Sequence, residues 1–333
     1  MTMRVLLTHT PHVRANYYGD VALARLRELV EVRLHESDAP LDTAGLIAQA
    51  RDCDVIIADR QTDGEAALFE ALPGLVAFLR CAMDIRSIDV PAASRAGVLV
   101  TRATAGFVDA VAELAIGFMI DLSRGVSRAT ASYRAGDMPA IEMGVQLSTA
   151  TVGIIGFGAI GRQVGTLAGA LGMTVLASDP VLIAQPGIEQ VEMAELLGRS
   201  DFVICLAPVL PETENLMDAR AFAAMRRGSF FINLARGELV DEASLIAALD
   251  RGHLRGAAVD VGRAPNQMPS PALAGRADVI ATPHIGGLTP EATQHQAFDT
   301  VEQVAALLQG RLPPGAVNAE HADRLKRLLR ETA

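Results

Sequence analysis

The 333-residue chain reads as an α/β protein built on two doubly wound parallel sheets. Three observations predict this. Short β-branched, apolar runs alternate with segments whose apolar residues recur at helical spacing. The runs are almost continuously apolar, as strands covered on both faces are. The alternation occurs once before residue 103 and again after residue 150, with a long helical stretch between.

In the first unit the strands are RVLLTH (4–9), VEVRLH (30–35), DVIIAD (54–59), LVAFLR (75–80) and GVLVTR (97–102). Helices such as DVALARLREL (20–29) fill the gaps. Residues 106–136 carry helical apolar spacing for several turns, long enough to join two units or carry a subunit contact. Residues 137–148 read as a loop. The second unit runs TVGIIGF (151–157), MTVLAS (173–178), DFVICLA (201–207), SFFINLA (229–235), GAAVDV (256–261) and DVIAT (278–282), with helices such as DEASLIAALDRG (241–252) between. The tail 319–333 is an amphipathic, charged helix expected to be solvated or loosely docked.

Composition narrows the function. Half the residues are hydrophobic and 20% are charged, enough to build sizeable cores. The net charge of −10 argues against a nucleic-acid or anionic-membrane partner. Cys53, Cys81 and Cys205 are scattered and form no metal-type spacing, so they read as reduced, buried thiols, and no metal site is expected. No stretch is long and apolar enough to span a membrane and no secretory leader is evident, so a soluble, cytoplasmic protein is expected.

Gly156, Gly158 and Gly161 form a GxGxxG directly after a strand and opening a helix. The first permits a tight turn, the second admits a pyrophosphate to the backbone, and the third lets helix pack on strand. Phosphates there meet free N–H groups and the positive end of the helix dipole. The next strand ends in Asp179, whose carboxylate suits ribose hydroxyls and repels a 2′-phosphate, favouring NAD over NADP. A structural glycine turn or a FAD site are the alternatives. Arg236 in INLARG (232–237) and His284 in TPHIGG (282–287) each follow a strand, at the sheet edge where ligands bind. A guanidinium grips a carboxylate through two hydrogen bonds, and an imidazole moves a proton near neutrality. Together they suit a small 2-hydroxy or 2-oxo acid. His9 and His12 flank the loop after the first strand and could also line a cleft, while His35, His253, His295 and His321 read as surface or packing residues.

From about residue 50 to Asn318 the chain resembles the D-isomer-specific 2-hydroxyacid dehydrogenases, which include the phosphoglycerate dehydrogenases. The resemblance rests on AASRAGVLV (92–100), VAE (111–113), GFGAIG (156–161), SDP (178–180), INLARGELVDE (232–242), GAAVDV (256–261) and TPHIGG (282–287). It implies two Rossmann-like domains with the active site in a cleft: a substrate domain from 1–103 plus 286–333, and an NAD domain over 104–285. The helical stretch 106–136 is implied as a homodimer arm. It further implies Arg236 as the substrate-binding arginine and His284 as the acid/base. Ala159 and Ile160 fall at the pyrophosphate, and Leu206, Ala207, Pro208, Leu234, Ala235 and Gly286 line the cofactor. Asp260 meets the nicotinamide amide. Arg60, Ala82, Met83 and Asp84 fall at the substrate.

The chain departs from that pattern in three places. The family's DVF-x-x-EP, whose Glu pairs with the catalytic His, is here DVGRAPNQMP (260–269), with Ala264 or Pro265 at the Glu position and no Asp or Glu from Val261 to Ala277. Asn266 or Gln267 is a candidate neutral acceptor, as Gln is in the related formate dehydrogenases. The usual glycine-containing substrate loop is RCAMDIRSID (80–89), where Asp84 would repel an anion and Arg60, Arg80 or Arg86 could offset it. Leu210 replaces a usual Thr near the cofactor. Two readings stay open: an NAD-dependent dehydrogenase of a 2-hydroxy acid, phosphoglycerate-like substrates included, or an NAD(H)-binding regulatory protein with little turnover.

Overall fold

The structure is a computed structural model that describes residues 3–264 and 266–330. It divides into two compact units. One comprises the chain up to Gly106 together with the chain from Thr289 onward, and the other Phe107–Leu288.

The first unit holds strands β1 (Arg4–Leu7), β2 (Glu31–Leu34), β3 (Val55–Ala58), β4 (Ala77–Arg80) and β5 (Leu99–Arg102). They form one sheet in the order β2-β1-β3-β4-β5, with every pairing parallel. Alternation along β1 explains the two-sided burial. Val5 and Leu7 join the cluster with Leu23 and Leu26 of the helix Asp20–Leu29, while Leu6 joins the opposite cluster with Leu46 and Leu68. The helix Pro290–Leu308 packs Ala297, Val301, Val304 and Leu307 into the first of these clusters, so the end of the chain completes the first sheet's cover.

The second unit holds β6 (Thr151–Ile155), β7 (Thr174–Ser178), β8 (Ile188–Gln190), β9 (Phe202–Cys205), β10 (Phe230–Asn233), β11 (Gly256–Val259) and β12 (Val279–Ala281). Their order is β12-β11-β10-β9-β6-β7-β8, again all parallel. The chain steps outward from β6 to β7 and β8, then returns to add β9 on β6's other side. That reversal makes a crevice at the carboxyl ends of β6 and β9. The short edge strand β8 has no apolar run and was not anticipated from sequence.

Two expectations change. The stretch 106–136 is two helices, Val108–Arg124 and Val126–Ala135, broken at Gly125. Gly125 sits at φ 63°, and its N–H bonds Asp121 O while the Asp121 carboxylate takes Ser127 N. Glycine enters this left-handed region without the Cβ clash that penalises other residues. The start of the tail is also docked, with Asn318 just before it and Arg324 within it making the contacts. Asn318 bonds the β5 segment through Val98 O and Val100 N, and the Arg324 guanidinium donates to Leu72 O and Leu75 O.

Candidate functional site

The glycine loop sits at the crevice of the seven-stranded sheet. Gly156 has φ 88°, and a Cβ there would lie 2.6 Å from Ala207 N, so the turn closes against the segment after β9. A Cβ on Gly161 would fall 2.5 Å from Gly156 O, so the helix start packs on the loop itself. A Cβ on Gly158 meets nothing within 4 Å. That open side lies at the N-terminus of the helix Ala159–Ala170, where the first N–H groups have no intrahelical acceptor. The loop therefore offers a backbone cradle, with Ala159 and Ile160 opening the helix, that fits a pyrophosphate.

Asp179 follows β7. Its Oδ2 accepts from Phe157 N at 2.7 Å and its Oδ1 from Val181 N at 2.8 Å. The carboxylate is thus tied to the glycine loop while each oxygen keeps acceptor capacity. A cavity of about 800 Å³ beside it is lined by Ser178, Asp179, Leu182, Glu189, Glu192 and Glu195, among others. Arg199, which could have favoured a 2′-phosphate, is engaged by Glu189 and Glu195. The pocket beside Asp179 is therefore lined by acidic side chains, a setting that suits ribose hydroxyls better than a 2′-phosphate. After β9, Ala207 is buried, with Leu206 and Pro208 to either side. The Thr213 hydroxyl closes that loop by donating to Pro208 O and accepting from Leu210 N, so Leu210 leaves no gap in the main-chain pairing.

Arg236 is held from below. Buried Asn233 at the end of β10 accepts from Ala235 N at 3.1 Å and donates to Arg236 O at 2.9 Å. Arg236 Nη1 donates to Ala235 O at 2.7 Å. A side chain on Gly237 would overlap the Gly262–Arg263 backbone, which brings the loops after β10 and β11 into contact. Leu234 is buried and Ala235 partly so.

Asp260 is the hub of the other half. It is buried, and its Oδ1 accepts from Thr282 Oγ1 at 2.6 Å and Ile285 N at 2.8 Å, while Oδ2 accepts from Gly286 N at 2.8 Å. These bonds clamp the turn that carries His284. His284 itself has φ 56°, a left-handed conformation costly for a side chain with a Cβ, and its N–H bonds Thr282 O. The structure thus brings Arg236, Asp260 and His284 to adjacent strand ends of one sheet. Sequence reasoning placed Asp260 at the nicotinamide and missed its hold on the His284 turn, because its partners lie in a distant motif.

Sequence reasoning also missed Arg263. Its Nε donates to Val240 O at 3.2 Å, and its Nη2 donates to Glu238 O and to the Asn215 carboxamide, stapling three loops at this edge. Of the two residues at the family's Glu position, Ala264 is exposed, and Pro265 lies outside the described residues.

The remaining nominated residues belong to the five-stranded sheet. Arg60 follows β3 and is exposed, and Ala82, Met83 and Asp84 follow β4, with Ala82 buried and Met83 exposed. Asp84 is bound by Arg86, whose Nη2 lies 2.7 Å from Oδ2 and whose backbone N–H meets Oδ1, so its charge is offset locally. Arg80 is no anion anchor: it is wholly buried and donates to Asp59 O, Thr62 O and Ser87 Oγ, and burial lowers its pKa. His9 does not line a cleft either. It is buried edge-on against Tyr18, and desolvation drives its pKa down to about 4. His12 is exposed on the helix Pro11–Tyr17. Of the histidines read as surface or packing groups, His35 is buried and bonded to Ala39 O, and His253 to Met225 O.

Among the described residues no group of three or more His, Cys, Asp or Glu could hold a metal ion, and no helix is long and apolar enough to cross a membrane.

Residues 116–286 match the family described as D-isomer specific 2-hydroxyacid dehydrogenase, NAD binding domain. The D-3-phosphoglycerate dehydrogenase of Mycobacterium leprae is 35% identical over 311 residues, covering 92% of this chain and 58% of that protein. The chain spans a little over half the length of such curated relatives. A solved protein from Thermus thermophilus superposes with a TM-score of 0.84 at 32% identity, covering 95% of this chain and 100% of that one. D-lactate dehydrogenase from Lactobacillus jensenii, solved with NAD+, gives 0.82 at 25% identity over 95% and 99% of the two chains.

Proposed function

Because the chain belongs to the D-isomer-specific 2-hydroxyacid dehydrogenase family, we propose that it transfers hydride between NAD and a small D-2-hydroxy acid or its 2-oxo partner. Bound in the glycine cradle, NAD would supply the two-electron acceptor. Gly156, Gly158 and Gly161 with the helix start would hold the pyrophosphate, Asp179 the ribose hydroxyls, and Leu206, Ala207, Pro208, Leu234, Ala235 and Gly286 the remaining walls. Arg236 would pair with the substrate carboxylate and polarise the 2-oxygen. His284 would take the hydroxyl proton during oxidation and return it during reduction. Asp260 fixes the turn from which the imidazole acts. Arg60 and the segment 82–84 are proposed substrate contacts, with a phosphoglycerate-like acid within the class considered. The cytoplasm is the proposed compartment, consistent with three free, buried cysteines.

The observation that carries this reading is the joint support of Arg236 and His284: Asn233 under one, Asp260 under the other, and the Gly237–Gly262 contact between their loops. A panel of 2-oxo acids with NADH and NADPH tests it. Oxidation of NADH by at least one member is expected, falling by about a hundredfold or more in Arg236→Ala and His284→Ala. NADH binding with no turnover of any member would favour the second reading, an NAD(H)-binding regulatory protein. The lack of any Asp or Glu between Val261 and Ala277 supports that alternative.

A further inference from the structure

Arg236 opens a single tight turn, Gly237–Leu239, in which Val240 N donates back to Gly237 O at 3.1 Å. So short a turn leaves its later carbonyls without donors of its own. Two neighbouring loops supply them. From the loop after β9, Asn215 N donates to Glu238 O at 2.9 Å and Met217 N to Leu239 O at 2.9 Å. From the loop after β11, Arg263 donates through Nη2 to Glu238 O at 2.9 Å and through Nε to Val240 O at 3.2 Å. Glu238 O therefore accepts from two different loops at once.

The same guanidinium donates to the Asn215 carboxamide, and Asn215 holds φ 52°. Asparagine tolerates that left-handed region better than most residues do. In that conformation its N–H reaches one partner of Arg263 and its side chain reaches Arg263 itself. Glu214 lies 3.5 Å from Nη1, but both side chains are exposed, so this pair adds little. The planar fork matters more, because it binds oxygens of two loops from a third. A Cβ on Gly237 would overlap the Gly262 backbone, so Arg263 is the first side chain past that contact. Asn233 fixes the other side of Arg236 by donating to Arg236 O at 2.9 Å.

We propose that Arg263 is the positioning residue for Arg236: by locking the turn that Arg236 opens, it sets the direction from which the Arg236 guanidinium meets the substrate carboxylate. The proposal rests on Arg236 being the substrate-binding arginine. A two-point arginine–carboxylate pair demands planarity and direction, so a turn free to shift weakens it even with the charge in place.

Steady-state kinetics with a 2-oxo acid that the wild type reduces tests this. Arg263→Met keeps an apolar stem and removes the fork. It is expected to raise KM for the acid by about tenfold or more, with NADH affinity within twofold. Loss of folded enzyme alone would lower the apparent kcat and leave KM unchanged, so KM is the decisive readout. Arg276→Met is the control, since Arg276 pairs with Asp250 and Asp278 just before β12, at the amino end of the strands. Its KM is expected to stay at the wild-type value, and equal KM shifts in the two variants overturn the proposal. Arg263→Lys keeps the charge without the fork and is expected to resemble Arg263→Met. A wild-type KM in the lysine variant would assign the effect to charge and overturn positioning. Should Arg263→Met not fold, Asn215→Gly decides, because glycine accepts φ 52° and removes one acceptor of the fork. Its KM is expected to rise by about threefold or more, and a wild-type value overturns the idea. Amide exchange needs no turnover. In Arg263→Met the amides of Asn215, Met217 and Val240 are expected to exchange about tenfold faster than in the wild type, and unchanged rates overturn the lock. If no 2-oxo acid is reduced, the functional reading fails, while exchange still decides whether Arg263 holds the turn.

Discussion

At the residue scale, buried polar groups divide by whether they have partners. Asp260 and Asn233 are hydrogen-bonded on several sides and hold the loops of the candidate site. His9 is different: it is buried, packed on Tyr18, and its Nδ1 has no partner. Burial disfavours its charged form, and its folded pKa of about 4 lies below the 6.5 of an exposed histidine. The unfolded chain therefore binds a proton at His9 before the folded chain does. Its contribution to stability is fully present above pH 6.5 and is lost as pH falls from there toward 4, at about 1.4 kcal/mol per unit. Urea melts at pH 7.5 and pH 5 should show that loss in the wild type and a smaller one in His9→Leu. An identical pH dependence in the two proteins would sink the assignment. Arg236, Asp260 and His284 stood out as candidates because short motifs at strand ends carry them, and the strands that carry them pair side by side. Their supports did not stand out, because Thr282, Ile285 and Gly286 meet Asp260 only once β11 and β12 are side by side.

At the element scale, the strands were legible because burial on both faces writes a continuous apolar run. The edge strand β8, with Glu189 and Gln190 among its three residues, writes none. The break at Gly125 was hidden because helical spacing continues past it, and only the backbone angle reveals the stop. The glycine loop shows how one motif contains unlike roles. Gly161 is packed against Gly156 O, whereas Gly158 faces open space. Gly161→Ala should therefore lower the melting temperature, since the added methyl must push the helix off the loop. Gly158→Ala should fold as the wild type does, yet weaken NADH by about tenfold or more, because its Cβ occupies the side open to a pyrophosphate. Thermal melts with and without NADH separate the two. Wild-type NADH affinity in Gly158→Ala would show that the open side of Gly158 is not the ligand's.

At the scale of the whole molecule, what was least legible is assembly. Composition gives a net charge of −10 and only 4% aromatic residues, which by itself points to no sticky surface. Yet apolar side chains gather in one stretch. The helix Val126–Ala135 buries no residue of its own, and Val126, Tyr133, Met138, Ile141 and Met143 are all exposed, Ile141 completely. Single exposed apolar residues need no explanation, but a run of them along a helix and the loop after it marks a surface meant to be covered. Twofold pairing through one self-complementary patch is the commonest way for a chain to cover itself. This supports the homodimer that the resemblance implied for residues 106–136, with its apolar contact extended by Met138, Ile141 and Met143. Light scattering should give twice the chain mass of 35.1 kDa. Ile141→Asp combined with Met143→Asp places two carboxylates in the middle of the patch and should yield monomer. NADH affinity should be retained, because neither residue belongs to the glycine cradle. A wild-type protein that runs as a monomer at micromolar concentration would leave the patch needing another partner and end the dimer reading.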